Sequence, residues 1–306
     1  MSAKEDTSNN IIMSCCASCG KAEGDDIQLR TCTACKSARY CSVTCQRNHR
    51  PKHKKACKKR AAELRDEILF KQPESSYLGD CPICCLPLPL DEAKSAFNDC
   101  CSKIVCKGCI YANFKRTKEE GFEVTCPFCR ASAEEDPQKL YMKRIQANDP
   151  SSLAHLGVTR FLEGNYAEAL KYSSKAAELG YAQAHYHLSF MYQKGQGVEK
   201  DLKKALYHLE EAAIGGHPYA RYNLGHFEEE KGRYERAAKH YIIGANLGDD
   251  DSMQQLKEVY KDELVSEEDF ASVLRAHHAA VDAMKSQQRD EAADAFAAAR
   301  KIRADD

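Results

Sequence analysis

The sequence predicts a mainly α protein in which two small metal-binding modules with minor β structure precede an α-helical solenoid. Three observations predict it. All 17 cysteines lie between Cys15 and Cys129. Most stand in C-x2-C pairs, the spacing by which one turn brings two sulfurs to one metal. From about Asp149 a unit of 32 to 36 residues repeats, with leucines and small residues at fixed offsets, as a helix-pair solenoid requires. A length of 306 residues suits two or three such parts.

Composition narrows the class. The chain is 43% apolar and 30% charged, with a net charge of -1. No run approaches the roughly 18 apolar residues of a membrane helix. Met1 to Asn10 holds acidic residues and no apolar leader core. The expectation is a soluble chain of the cytoplasm and/or nucleus, with no membrane partner and a disordered stretch over residues 1–14. Near-zero net charge gives no global reason to bind nucleic acid. An odd cysteine count without a leader argues against a secreted disulfide scaffold.

The first cysteine block spans residues 15–57. It reads C-x2-C, C-x2-C, C-x3-C and H-x3-C, with Cys16, Cys19, Cys32, Cys35, Cys41, Cys45, His53 and Cys57 as ligands. Eight thiolate and imidazole ligands suffice for two tetrahedral zincs. The segments CASCG, CTACKSARYCSVTCQ and HKKAC resemble the MYND zinc finger. The resemblance implies an interleaved arrangement, with Cys16, Cys19, Cys41 and Cys45 on one zinc and Cys32, Cys35, His53 and Cys57 on the other. It also implies binding of short proline-containing peptides, often aided by a tryptophan after the C-x3-C pair. This chain has no tryptophan; Arg50 holds that place, while Gln46 is retained. Cys15 is spare.

The second block spans residues 81–130. Its pairs are Cys81/Cys84, Cys100/Cys101, Cys106/Cys109 and Cys126/Cys129, with Cys85 spare. With CPIC and CPFCR it resembles a RING finger whose ligands are all cysteine. The resemblance implies Cys81, Cys84, Cys106 and Cys109 on one zinc and Cys100, Cys101, Cys126 and Cys129 on the second, about four zincs per chain in all. One departure stands out. The usual third and fourth ligands are not adjacent, and in the commoner spacing the histidine position holds Lys103. Either Cys100 and Cys101 both bind, or this site is imperfect. A RING finger recruits a ubiquitin-conjugating enzyme and orders its thioester without a covalent step. The corresponding contact residues here are Ile83, Pro127 and Arg130.

Residues 1–145 carry 25 Lys plus Arg against 19 Asp plus Glu. Eight of the basic residues fall between Gln46 and Arg60 without an acid among them. Fifteen ligand thiolates and four zincs would add -7 and bring this half near neutrality. The basic run therefore reads first as countercharge to zinc–thiolate centres, and a nucleic-acid partner is not expected.

Residues 58–80 read as a linker helix, with apolar residues at Leu64, Ile68 and Leu69, ended by the PESSYLG loop. Residues 131–148 read as a linker. Over residues 149–283, Leu156, Leu188, Leu224 and Leu256 anchor the repeats. Ala169, Ala205 and Ala237 recur, as do Gly180, Gly216 and Gly248. The second repeat, with its G-x-G-V-x-x-D-x-x-K-A segment, resembles the Sel1-like repeat. The first and third are closer to the tetratricopeptide pattern. Residues 284–306 read as a charged, alanine-rich capping helix. His185, His187 and His226 are not in metal spacing.

In the tetratricopeptide register Tyr186, Phe190, Tyr222 and His226 face the concave side and form an apolar strip for a peptide motif. The functional expectation is a zinc-binding RING-type ubiquitin ligase, with its substrate held by the repeats and no covalent catalytic residue. The alternative is a non-enzymatic adaptor. No segment is left for the catalytic domain of a methyltransferase.

Overall fold

The computed structural model describes residues 15–132 and 136–305, with side chains described up to residue 299. The disorder expected of residues 1–14 falls outside this range. The described chain is mostly helical, with twelve α-helices and two small sheets. It divides into two units, residues 1–71 and 72–306.

In the first unit, strands β1 (Arg30–Thr31) and β2 (Arg39–Tyr40) form an antiparallel pair with Thr31 opposite Arg39. Helix α1 follows over Val43–Leu69. Ser42 starts it, its hydroxyl accepting from the Cys45 N–H at 3.1 Å. The linker helix expected at 58–80 is therefore the second half of a helix that begins inside the finger. After Pro51 nothing breaks it before Phe70, and His53 and Cys57 sit on one face at i, i+4. The apolar core of this unit is small: Leu29, Ala38 and Tyr40 pack with the ligand cysteines.

The second unit opens with the other finger. Strands β3 (Ser95–Asn98) and β4 (Lys103–Cys106) pair antiparallel, and helix α2 (Lys107–Glu120) starts with Cys106 as its N-cap. Helix α3 (Pro137–Gln146) then occupies most of the expected linker 131–148. Asp136 caps it, and Ile145 is buried in the first repeat's core. The solenoid is four antiparallel pairs. They are α4 (Pro150–Leu162) with α5 (Tyr166–Glu178), α6 (Ala182–Lys194) with α7 (Leu202–Ile214), α8 (Pro218–Glu229) with α9 (Tyr234–Asn246), and α10 (Asp250–Lys261) with α11 (Glu267–Ala283).

The repeated residues carry this packing. The four anchor leucines are all buried, each contributing about 1.5–3 kcal/mol of transfer free energy. The partner helix passes so close to Gly225 that a Cβ there would lie 2.3 Å from the Tyr241 ring. The second repeat is longer because Gly195–Asp201 separates its helices, four residues more than Glu163–Asn165 in the first.

The capping helix expected at 284–306 is corrected. Helix α11 closes the repeat stack, packing on α9 and α10. Helix α12 (Gln287–Asp305) instead lies along α2 of the finger. Its small residues allow the approach: Ala292 is fully buried, and Phe296 packs edge-on against Tyr111 with Lys107 over its ring.

The finger meets the repeats at several further points. Phe97 of β3 stacks on His155 of α4 at 4.3 Å, and Ser102 bonds Ser152 at 2.6 Å. Tyr77, just before the finger, stacks on His217 at 4.4 Å, and Tyr186 covers the other face of that imidazole at 4.2 Å. The Tyr77 N–H donates to the Gly216 carbonyl at 3.0 Å.

His217 caps α8, Nδ1 accepting from the Ala220 N–H, so Nε2 donates to Gln183 Oε1 at 2.9 Å. Burial pushes its pKa down to about 3, and that of His240 to about 3 as well, helped for His240 by nearby Arg221 and Arg236. The folded state thus resists protons that the unfolded chain accepts below pH 6.5. Stability is full above that pH and falls as pH drops toward 3. At pH 5 the loss should reach at most roughly 2 kcal/mol per histidine. In urea denaturation followed by circular dichroism, His217→Asn keeps a capping acceptor and should shrink the loss between pH 7 and pH 5 by about that amount. An unchanged loss would contradict this assignment.

Candidate metal centres

Each of the four C-x2-C segments that open with Cys16, Cys32, Cys81 and Cys126 folds into the same turn. The N–H of the residue after the second cysteine donates to the carbonyl of the first: Gly20 to Cys16, Lys36 to Cys32, Cys85 to Cys81 and Arg130 to Cys126, all at 2.9–3.0 Å. That residue has positive φ in every case, 74°, 56°, 56° and 64°. Such a turn aims two sulfurs to one side. Cys85, left over by the ligand count, occupies one of these left-handed positions, and its thiol is exposed.

A second pair completes each centre from a different element. Cys41 comes from the residue between β2 and the α1 cap and Cys45 from the first turn of α1, with His53 and Cys57 on one face of it. Cys106 and Cys109 come from the start of α2, where the Cys109 N–H donates to Cys106 Sγ at 3.5 Å. Cys100 and Cys101 come from the β3–β4 turn, which Ser102 closes at φ 58°.

The structure thereby brings together four tetrads. They are Cys16, Cys19, Cys41 and Cys45; Cys32, Cys35, His53 and Cys57; Cys81, Cys84, Cys106 and Cys109; and Cys100, Cys101, Cys126 and Cys129. Within each, the ligand atoms lie within 4.8 Å of one another. Both adjacent cysteines, Cys100 and Cys101, join the fourth. No other group of this kind occurs among the described residues, and His185, His187 and His226 belong to none. His185 Nδ1 instead meets His208 Nδ1 at 2.9 Å, and His187 Nδ1 meets Ser173 Oγ at 2.8 Å.

The distances fit zinc. A tetrahedron with Zn–S bonds of about 2.3 Å has S–S edges of about 3.8 Å. The separations are 3.6 Å for Cys19–Cys41, 3.8 Å for Cys32–Cys57, 3.9 Å for Cys81–Cys109 and 3.9 Å for Cys101–Cys126. His53 presents Nε2 to Cys35 Sγ at 3.2 Å. Electrostatics points the same way. Burial opposes ionisation of Cys16, yet N–H groups of Cys19, Cys41 and Ser18 pull it down to about 6. Its neighbour Cys41 is pushed up to about 12 by sharing protons with Cys45 and Cys19. Four sulfurs so close cannot all ionise unless a cation sits among them. The chain binds zinc in these cysteine centres, and the metal's chemistry here is structural: each set of four ligands closes a tetrahedron.

Arg289 was not visible in the sequence as part of a centre. It lies 205 residues from Cys84, and no spacing rule reaches that far. Its guanidinium donates to the carbonyls of Pro87 at 2.7 Å, Leu86 at 3.2 Å and Met284 at 2.6 Å, and to Cys84 Sγ at 3.5 Å. Gln288 adds a bond to the Gly108 carbonyl at 3.1 Å. Four thiolates and one Zn2+ carry -2, which this cation offsets.

Ile83 is 40% exposed and Pro127 half-buried. Arg130 is exposed and donates to Asn113 Oδ1 at 3.1 Å. The expected strip on the repeats is not an open groove. Tyr186 is covered by His217, the N-cap of α8, whose other face stacks on Tyr77 of the loop before the second finger. Tyr222 and His226 are half-buried against each other and Tyr241. Phe190 alone of the four is well exposed, at 40%.

Comparison with known proteins agrees with this division. Residues 16–57 match the family model of the MYND finger. Residues 153–181, 182–217 and 218–249 match the Sel1 repeat. The chain carries a MYND finger and Sel1 repeats. Residues 81–130 lie outside both matches. A putative beta-lactamase HcpC of Helicobacter pylori is 39% identical over 56 residues, 18% of this chain and 19% of that protein. The chain thus spans about a fifth of that relative's length. A Sel1 repeat protein from Oxalobacter formigenes is similar over 58% of this chain and 73% of its own, at 23% identity and a TM-score of 0.40. The protective antigen c5321 of uropathogenic Escherichia coli strains, with an SLR fold, is similar over 60% and 39% at 19% identity and a TM-score of 0.38. A MYND finger with Sel1 repeats makes this a zinc-binding repeat protein of the protein-interaction kind. No helix among the described residues is long and apolar enough to cross a membrane.

Fully loaded protein should contain four zincs. Removing a hydrogen-bond partner of a metal ligand commonly costs 10–100-fold in metal affinity. Arg289→Ala should therefore weaken one of the four sites by about tenfold or more in competition with a chromogenic chelator. Equal release from wild type and variant would contradict the role given to Arg289.

Proposed function

We propose that the second finger is a RING-type module and that the chain is a ubiquitin ligase of the cytoplasm or nucleus. On this reading the finger recruits a ubiquitin-conjugating enzyme and the repeats hold a protein substrate. The observation that carries it is the interleaving of the ligand pairs. The first pair shares a metal with the third, and the second with the fourth, while Ile83 and Arg130 stay exposed. The docking of α12 is compatible with it. Helix α12 touches Lys107, Gly108 and Tyr111 on one face of α2, and Asn113, which holds Arg130, lies on the opposite face. Ile83 and Arg130 remain exposed, although Arg289 of α12 bonds Cys84, Leu86 and Pro87 next to Ile83. No side chain of the finger needs to react. Its work would be to bind and orient two proteins.

A non-enzymatic adaptor is the second reading. It is favoured by the family matches, which cover the first finger and the repeats and leave residues 81–130 unmatched. An in vitro ubiquitination assay with a panel of conjugating enzymes separates the two. Ile83→Ala should lower chain formation roughly tenfold, the effect of about 1.4 kcal/mol at one interface contact, with zinc content unchanged. Arg130→Gly, which suits the left-handed backbone there, should do the same. Absence of ubiquitin chains with every conjugating enzyme would favour the adaptor.

A further inference from the structure

Along the first finger, one wall of α1 faces a groove of about 420 Å³ beside the Cys32, Cys35, His53 and Cys57 centre. Its lining includes Arg47, Arg50, Lys54 and Lys58 and no carboxylate. Their spacing of i, i+3, i+7 and i+11 sets them in one stripe of the helix. All four are exposed. Among the described residues none of them forms an ion pair, although the next cations along α1 do. Lys59 lies 3.9 Å from Glu63, and Arg60 lies 3.2 Å from Glu63 and 3.0 Å from Glu67. The carboxylates of α1 thus serve its second half and leave the groove stripe bare.

The metal does not balance this charge. Three thiolates, a neutral imidazole and Zn2+ sum to -1. Against the four cations of the stripe, about +3 remains in the groove. Its apolar part is Ala34, Ala61 and Val43, the last 52% exposed, over a buried Tyr40. Tyr40 is 2% exposed, so its ring gives a nucleobase no stacking platform. The groove therefore offers four cations to pair with carboxylates, apolar surface from Val43, Ala34 and Ala61, and no exposed Tyr, Phe or Trp ring on which a base could stack.

We propose that this groove docks an acidic segment of a partner protein, its carboxylates pairing with Arg47, Arg50, Lys54 and Lys58 and an apolar side chain covering Val43. The stripe from Arg47 to Lys58 spans about 16 Å of helix, which an extended peptide matches with about five residues. The two guanidiniums can each take a carboxylate through two parallel hydrogen bonds, whereas the lysines act as point charges. This site is independent of the ligase reading, since it lies in the other unit and needs no ubiquitin chemistry.

The test uses full-length, zinc-loaded protein and fluorescence anisotropy. The probe is a labelled peptide of about ten residues, glutamates and aspartates around one central leucine, long enough to cover the stripe when extended. A neutral proline-rich peptide and a single-stranded oligothymidylate of similar length are the comparisons. The acidic peptide should bind more tightly than either, and added salt should weaken it. Arg50→Glu combined with Lys54→Glu should raise its Kd at least about tenfold at unchanged zinc content. Lys52→Glu, outside the groove lining, should leave the Kd unchanged. Equal or tighter binding of the proline-rich peptide or the oligothymidylate would overturn the proposal. So would no binding of the acidic peptide, or equal effects of Lys52→Glu and the double reversal.

Discussion

The bond between one cation and four ligands drawn from two separate elements is what each finger depends on. Neither finger has an apolar core that could replace it. In the first, Leu29, Ala38 and Tyr40 are the buried apolar residues apart from cysteine. In the second they are Leu88 and Val105. Small modules of this kind stay folded because metal binding supplies on the order of 10–16 kcal/mol per structural site. The polypeptide's part is to present ligands in pairs. A left-handed residue closes four of the five C-x2-C turns, a serine or cysteine caps the adjoining helix, and the β3–β4 turn offers Cys100 and Cys101 together.

The second finger is not an independent bead on the chain. Its β-hairpin meets α4 through Phe97 and Ser102, the loop before it meets the start of α8 through Tyr77, and its helix α2 meets α12. Arg289 then links α12 to a zinc thiolate. Metal, finger and both ends of the repeat stack share one set of contacts. A repeat array usually has only nearest-neighbour interfaces; here a finger adds contacts between repeats that are distant in sequence. The cost is surface. The Tyr186 ring, which could have served a ligand, is spent on His217, whose other face holds Tyr77 of the loop before the finger.

What could be read from sequence was what depends on short spacing. Cysteine pairs, the leucine and alanine offsets of the repeats, and the extra loop of the second repeat all act within one turn or one helix pair. Boundaries were less legible. The first finger's helix runs on to Leu69 because no breaker follows Pro51, and α3 forms because Asp136 caps it and Ile145 finds the first repeat's core. Long-range partners were not legible at all. An alanine-rich C-terminal helix suits a solenoid cap and a finger equally by composition. Only the tertiary fit of Arg289 to the Leu86 and Pro87 carbonyls, and of α12 to Gly108, selects the finger.

Hydrogen–deuterium exchange of the full chain, read by mass spectrometry with and without a strong zinc chelator, tests most directly that metal, finger, first repeat and C-terminal helix form one cooperative body. Zinc removal should abolish protection in both fingers. Protection should fall together with them in α12 and in the first half of α4, while α9, deep in the repeat stack, stays protected. Unchanged protection of α12 and α4 after all zinc is removed would contradict the account.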